Sequence, residues 1–254
     1  MNRHIIKKEL HESLYESKGI WMIVASACIL SGLCLITVFS KEGSVLAQRD
    51  ILQYAIKASL FVTLIISMVL GATCFAAERE ENTLESLLLT PISRLDLTMA
   101  KYIGVLIIGA ILLGISVPYL AAIGAGSGLT VIALLITFAS GGILLLAFTA
   151  ISVTLSILIG SSKASLLASM LILLVLTFPA FIQSLFKLSP AGLFLMKIDP
   201  VTCSFKMMTD LLLNKASFLS ILGYIIPLLA FAALSIALLL YSSKKISLKG
   251  GKAL

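Results

Sequence analysis

Few side chains in this sequence are able to do chemistry, and their spacing argues against most of it. Both histidines, His4 and His11, precede the first apolar run, so neither reaches membrane depth to hold a metal, relay protons or activate a serine. His11-Glu12 lacks the second histidine of a zinc-protease helix. Ser127 sits in the turn Gly124-Ala125-Gly126-Ser127-Gly128 with no base to take its proton. Glu80-Glu81 opens like a paired-glutamate membrane protease motif, but Glu85 stands where such motifs place an arginine. Cys28, Cys34 and Cys74 fall inside apolar stretches and Cys203 stands alone, which implies neither a disulfide nor a Cys-x-x-Cys metal pair. Packing is their expected role. The chain also contains no Gly-x-x-x-x-Gly-Lys-[Ser/Thr] phosphate loop and so does not bind ATP by that route. The expectation is a non-catalytic chain with no metal and no cofactor of its own.

What must position the remaining polar residues is a set of membrane spans. Of 254 residues, 59% are apolar and 12% charged, where soluble domains average about 25% charged. With a mean hydropathy of +1.12, there is too little polar surface to cover a water-soluble globule. Disorder and a disulfide-rich scaffold are excluded by the same composition. No Asp, Glu, Lys or Arg occurs in residues 19–40, 58–77, 102–162, 164–186 or 216–243. A helix needs about 20 apolar residues to cross a bilayer, so four of these runs hold one span each. The run 102–162 holds two, separated by the Gly-rich turn. The prediction is an all-α polytopic membrane protein with spans at 19–39, 56–77, 102–124, 129–159, 166–186 and 219–241. The apolar stretches are continuous rather than alternating, which disfavours a barrel.

Six spans put both termini on one side. That side carries 12 of the 19 Lys and Arg residues, so both termini are expected in the cytoplasm of a cytoplasmic-membrane protein. Membrane topology accounts for the net charge of +7 without any nucleic-acid face. Residues 1–18 place Ile6, Leu10 and Leu14 on one side of a helix, which suits an interfacial helix lying on the membrane lipid. Val45-Leu46-Ala47 has the small residues of a signal-cleavage site, yet the three glutamates before the first run and its spanning length fit a retained helix better. The charge-free interiors also argue against ion coupling, which needs ionisable groups inside the bilayer. Any transport would draw its energy from a separate ATPase.

The most informative stretch is the polar connector 78–101. Asn82 followed by Glu85 matches a capping box that would start a short helix at Thr83. Pro91 would end it, and Ser93-x-x-Asp96 can cap the helix that follows. Leu84, Leu87 and Leu88 share one face of the short helix. An apolar face rimmed by the acidic cluster suits docking into a protein groove.

These residues carry a resemblance. Glu78-Arg79-Glu80-Glu81-x-Thr83-Leu84-Glu85-x-Leu87-Leu88-x-Thr90-Pro91-x-Ser93-Arg94 is similar to the loop after the second span in permease subunits of type-2 ABC exporters. Six spans, an N-terminal amphipathic elbow helix and a longer outer segment before the last span also resemble that family. The resemblance implies a coupling helix at 83–90 that docks on an ATP-binding subunit. It also implies short re-entrant helices in the outer segment 187–218 and a cytoplasmic tail at 242–254. The implied complex has two ABC ATPase subunits, which bind the ATP and Mg, and a second permease chain, identical or related. Within the spans, Thr149, Ser152 and Ser156, with Ser165 and Ser169 after them, line one side and can border a translocation path, bridge helices, or bond their own backbone one turn back. An uncoupled channel, a secondary carrier and a non-transporting scaffold or immunity subunit are the alternatives. The substrate is not specified by an uncharged path.

Overall fold

Long apolar runs in lipid must satisfy every backbone group internally, which leaves helices as the only open solution. The computed structural model describes residues 19–39, 45–84, 93–125, 128–182, 186, 189–212 and 218–245. These form α1 (Gly19–Phe39), α2 (Val45–Thr73), α3 (Ala76–Glu80), α4 (Arg94–Gly124), α5 (Thr130–Leu158), α6 (Ser162–Phe181), α7 (Pro190–Ile198), α8 (Pro200–Leu212) and α9 (Phe218–Ser243). Six helical stretches are long and apolar enough to cross a membrane, α2 and α3 counting as one, and no strand occurs among the described residues. The chain is therefore an all-α polytopic membrane protein. The expected interfacial helix at 1–18, the residues after 245 and most of the expected coupling helix, 85–92, lie outside the described residues.

The helices run further than the charge-free runs. The second extends back through Lys57 and Arg49, and α4 begins at Arg94 rather than near 102. A helix does not stop where the hydrocarbon stops, so its charged ends project into the headgroup layer. Exposed aromatic residues mark that layer at both ends: Trp21 and Tyr241 at the end where α3 leads into the connector, Tyr54 at the far end. Tyr54 and Glu78 are 24 residues apart, about 36 Å of helix, which matches a bilayer core of about 30 Å plus its interfaces. Pro118, Pro179 and Pro227 each lie inside a spanning helix.

The centre of the bundle is α2, α4 and α5, with α1, α6 and α9 around it. Close approach depends on small residues, as is usual where lipid supplies no hydrophobic drive between helices. A Cβ on Gly71 of α2 would overlap the Ser152 hydroxyl of α5, and one on Gly141 of α5 would overlap Leu60 of α2. Gly71→Ala should therefore push α2 from α5 and cost about 1–3 kcal/mol, read as a lower midpoint in a dodecyl sulfate unfolding titration.

Neither α7 nor α8 is long enough to span. Helix α8 dips into the far end of the bundle with Val201, Cys203, Phe205, Met207 and Met208 buried. Asp199 starts it by accepting the Thr202 N–H at 2.7 Å. Burial pushes the Asp199 carboxyl above the usual carboxylate range, partly offset by that bond. Phe205 meets Phe181 edge to face at 6.1 Å, and the Tyr224 hydroxyl of α9 donates to Asp210 at 2.7 Å. Helix α7 instead leaves Leu193, Phe194, Leu195 and Ile198 exposed. Residues 190–212 thus form a pair of short helices, neither of which crosses.

Candidate functional site

The second span breaks just before the connector. Thr73 turns its hydroxyl onto the Val69 and Leu70 carbonyls, and the Cys74 thiol approaches the Gly71 carbonyl at 3.0 Å. The next two amides leave the helical ladder altogether. Phe75 N–H and Ala76 N–H both donate to Ser156 Oγ of α5, each at 2.9 Å. A side chain inserted into the ladder is a recognised cause of a kink, and here it comes from a neighbouring helix. Helix α3 restarts beyond it, with Arg79 N–H on the Phe75 carbonyl.

Helix α3 carries three charged residues, each with a defined partner. Glu78 pairs with Lys101 of α4 at 2.5 Å, and the lysine side chain is only 4% exposed. Its ammonium also stands 5.4 Å over the Phe75 ring. Arg79 donates to the Ile157 carbonyl at 3.0 Å, one of the orphan acceptors that close α5. Glu80 accepts the Ser162 N–H at 2.9 Å, an orphan donor that opens α6. A cation thus sits at a helix C-terminus and an anion at an N-terminus, the signs that the helix dipoles favour. Between them lies only the turn 159–161, so adjacent residues of α3 grip both sides of the α5–α6 joint.

The chain then leaves α3 through a C-terminal cap. Asn82 adopts φ 58°, and Thr83 N–H and Oγ1 both donate to the Glu78 carbonyl, the pattern that closes a helix through one left-handed residue. This corrects the capping-box reading. An N-cap needs extended backbone, so Asn82 ends α3, and helical conformation resumes at Leu84, not Thr83. Asparagine is among the few non-glycine residues that tolerate this conformation.

Leu84 also departs from its expected role as an exposed anchor. It is 3% exposed and packs with Phe75, Leu97, Tyr102, Val153 and Leu239. A leucine buried in its own fold offers nothing to a partner, so it seats the start of the connector. Glu81 is exposed, while Glu85, Leu87, Leu88 and Pro91 lie outside the described residues. On the return side Ser93 caps α4 as expected, accepting from Asp96 N–H at 3.0 Å and donating to its carboxylate at 2.6 Å. Arg94 reaches the Lys244 carbonyl after α9 at 3.5 Å.

Thr149, Ser152, Ser156, Ser165 and Ser169 are all fully buried, so they line no open passage in this conformation. Thr149 bonds the Leu145 carbonyl and Ser152 the Thr149 carbonyl, both locally. Ser156 is the exception already described. Ser165 and Ser169 have no hydrogen-bond partner for their hydroxyls. Lys101 and Ser162 escaped notice in the sequence. Lys101 looked like the last residue of a polar loop, although a lysine about two turns after a helix cap and before an apolar run signals a charge that needs a partner.

Against known families, the chain matches the model described as "ABC-2 family transporter protein" over residues 14–180, well over half its length. No curated protein matches it. The matched stretch contains α1 to α5, the connector and almost all of α6.

Proposed function

Since the chain belongs to the ABC-2 family of transporter proteins, we propose that it is the permease subunit of an ATP-driven exporter, coupled through the connector between α3 and α4. The observation that carries this is the double grip of α3. Arg79 holds the end of α5 and Glu80 the start of α6, while Glu78 holds α4 and Ser156 props the break behind them. A force applied to residues 81–93 is therefore delivered to three spanning helices at once. Had the connector hung from a continuous helix without these contacts, its motion would dissipate in the loop.

In this reading two ATPase subunits bind ATP and Mg and dock on the connector, with Leu87 and Leu88 as apolar anchors and Glu81 and Glu85 as the charged rim. Closure of the ATPases tilts α3, and the α5–α6 joint follows, opening a path along the buried face of Thr149, Ser152, Ser165 and Ser169. A second permease chain, identical or related, completes the path. The exposed apolar flanks of α1 and α6, including Ile36, Leu167 and Leu171, meet that chain and the surrounding lipid. Both termini and the connector face the cytoplasm, and the protein resides in the cytoplasmic membrane.

The reading requires a separate phosphate-loop ATPase, and the test is co-purification with it. The double variant Leu87→Asp/Leu88→Asp should lose the ATPase while inserting normally, because a buried carboxylate in an apolar docking groove costs more than the contact returns. An ATPase that stays bound overturns the docking role. Transport that persists with a hydrolysis-dead ATPase would instead identify an uncoupled channel.

A further inference from the structure

At the far end of the bundle, α2 carries a second polar stripe that plays no part in coupling. Arg49, Gln53 and Lys57 recur every four residues, so they share one helix face. That face is turned inward. Leu52, Gln53, Ile56 and Leu60 on the same side are buried, whereas Tyr54 is 69% exposed on the other. A lysine that merely reached for the lipid headgroups would lie on the exposed side. Opposite the stripe stands α8. The Gln53 side-chain amide donates to the Thr209 hydroxyl, and the Lys57 ammonium sits 5.3 Å from the Phe205 ring and 5.6 Å from the Tyr54 ring.

The two cations lack a counter-charge. Among the described residues no salt bridge reaches Arg49 or Lys57, and the Arg49 Nε is buried without a hydrogen-bond partner. The described carboxylates of this end are engaged elsewhere or turned away. Asp199 caps α8, Asp210 receives the Tyr224 hydroxyl, and Asp50 faces outward. Two unneutralised cations beside apolar and aromatic surface make a local positive field that an anion would complete. Arg49 and Lys57 are eight residues apart, about 12 Å along the helix, and both side chains are long enough to converge near Gln53, midway between them. A guanidinium, an ammonium and an amide donor together suit a phosphate-type group.

We propose that the seam between α2 and α8 is an anion site in which Arg49 and Lys57 hold a phosphate-type group and Gln53 supplies a further donor. Such a group is presented by the headgroup of an anionic phospholipid or by free phosphate. The site goes beyond the permease reading and does not depend on ATP coupling. Thr209 and Phe205 lie beyond the residues matched to the family model.

The experiment is thermal unfolding of the purified full chain in dodecyl maltoside, followed by circular dichroism. Dioleoyl phosphatidylglycerol, dioleoyl phosphatidylcholine or inorganic phosphate is titrated in. A ligand that binds the folded chain raises the midpoint in a saturable way. Phosphatidylglycerol should do so and phosphatidylcholine should not. The concentration for half the effect should rise about tenfold in Arg49→Gln and in Lys57→Gln, the loss of one charge-assisted bond. Lys57→Arg should retain it, and Lys197→Gln, on exposed α7, should leave it unchanged. A matching shift with phosphate alone also supports the site and makes its ligand a soluble anion. Equal shifts in the wild type and both Gln variants overturn the proposal, as does a chain that responds to neither anion. If Lys57→Gln fails to fold, Arg49→Gln decides the matter alone.

Discussion

Lys101→Met should destabilise the chain by about 3 kcal/mol, the low end of the range for breaking a buried ion pair. The low end applies because Glu78 retains 18% of its side-chain exposure, while Lys101 has 4%. The variant takes away the charge that Lys101 sets against the Glu78 carboxylate. Its cost is the desolvation of that carboxylate more than the value of the pair itself. Two companions separate these terms. Glu78→Gln/Lys101→Met removes both charges and should recover most of the loss, and the exchange Glu78→Lys/Lys101→Glu should recover part of it. Unfolding by dodecyl sulfate, followed by circular dichroism, measures all three. A single variant as stable as the wild type would mean that water reaches Glu78 and that the pair does not anchor α3 to α4.

The second large effect is expected at Ser156. Its hydroxyl oxygen is the acceptor for two amides that have left the helical ladder, and an unsatisfied buried N–H costs about 1–3 kcal/mol. In Ser156→Ala, the Phe75 and Ala76 amides should therefore exchange with deuterium about 10- to 100-fold faster, which corresponds to that energy range. Ser156→Thr keeps the hydroxyl and should restore protection. Amides that remain protected in Ser156→Ala would show that the second span has closed into a continuous helix. That outcome is informative too, because a straight helix re-aims Arg79 and Glu80 and should separate ATP hydrolysis from transport.

Much of the architecture was readable from local pattern. Runs without charge give the six spans, since burying one unpaired charge in lipid outweighs any packing preference. Ser93 and Asp96 were legible as a cap because both partners lie within one turn. The short helices before the last span were expected from the family resemblance rather than from local pattern. Helix ends were less legible. Arg49, Lys57 and Arg94 look like loop residues by composition, yet helices carry them because the interface tolerates charge at their ends.

The connector shows where local reading fails. Asn82 to Glu85 fits a capping box and equally fits a left-handed C-cap, and short-range pattern does not choose between them. Leu84 fits an exposed docking face until the positions of Phe75, Leu97 and Leu239 are known. Thr149, Ser152 and Ser156 appear equivalent at i, i+3 and i+7. Two of them bond their own helix, and the third holds a helix some 80 residues away.

The order of residues alone determined that this chain holds six stretches long and apolar enough to cross a membrane, that it contains no phosphate-loop motif, and that its densest acidic patch lies between the second and third of them. These follow from hydrophobic and electrostatic terms that depend on each short segment separately. Only the tertiary structure decided which partner each polar group takes: Ser156 on a broken helix, Arg79 and Glu80 on either side of one joint, and Gln53 and Lys57 against Thr209 and Phe205 of α8. A serine or a lysine can satisfy itself in several ways, and the choice among them belongs to whichever distant residue packing brings within about 3 Å.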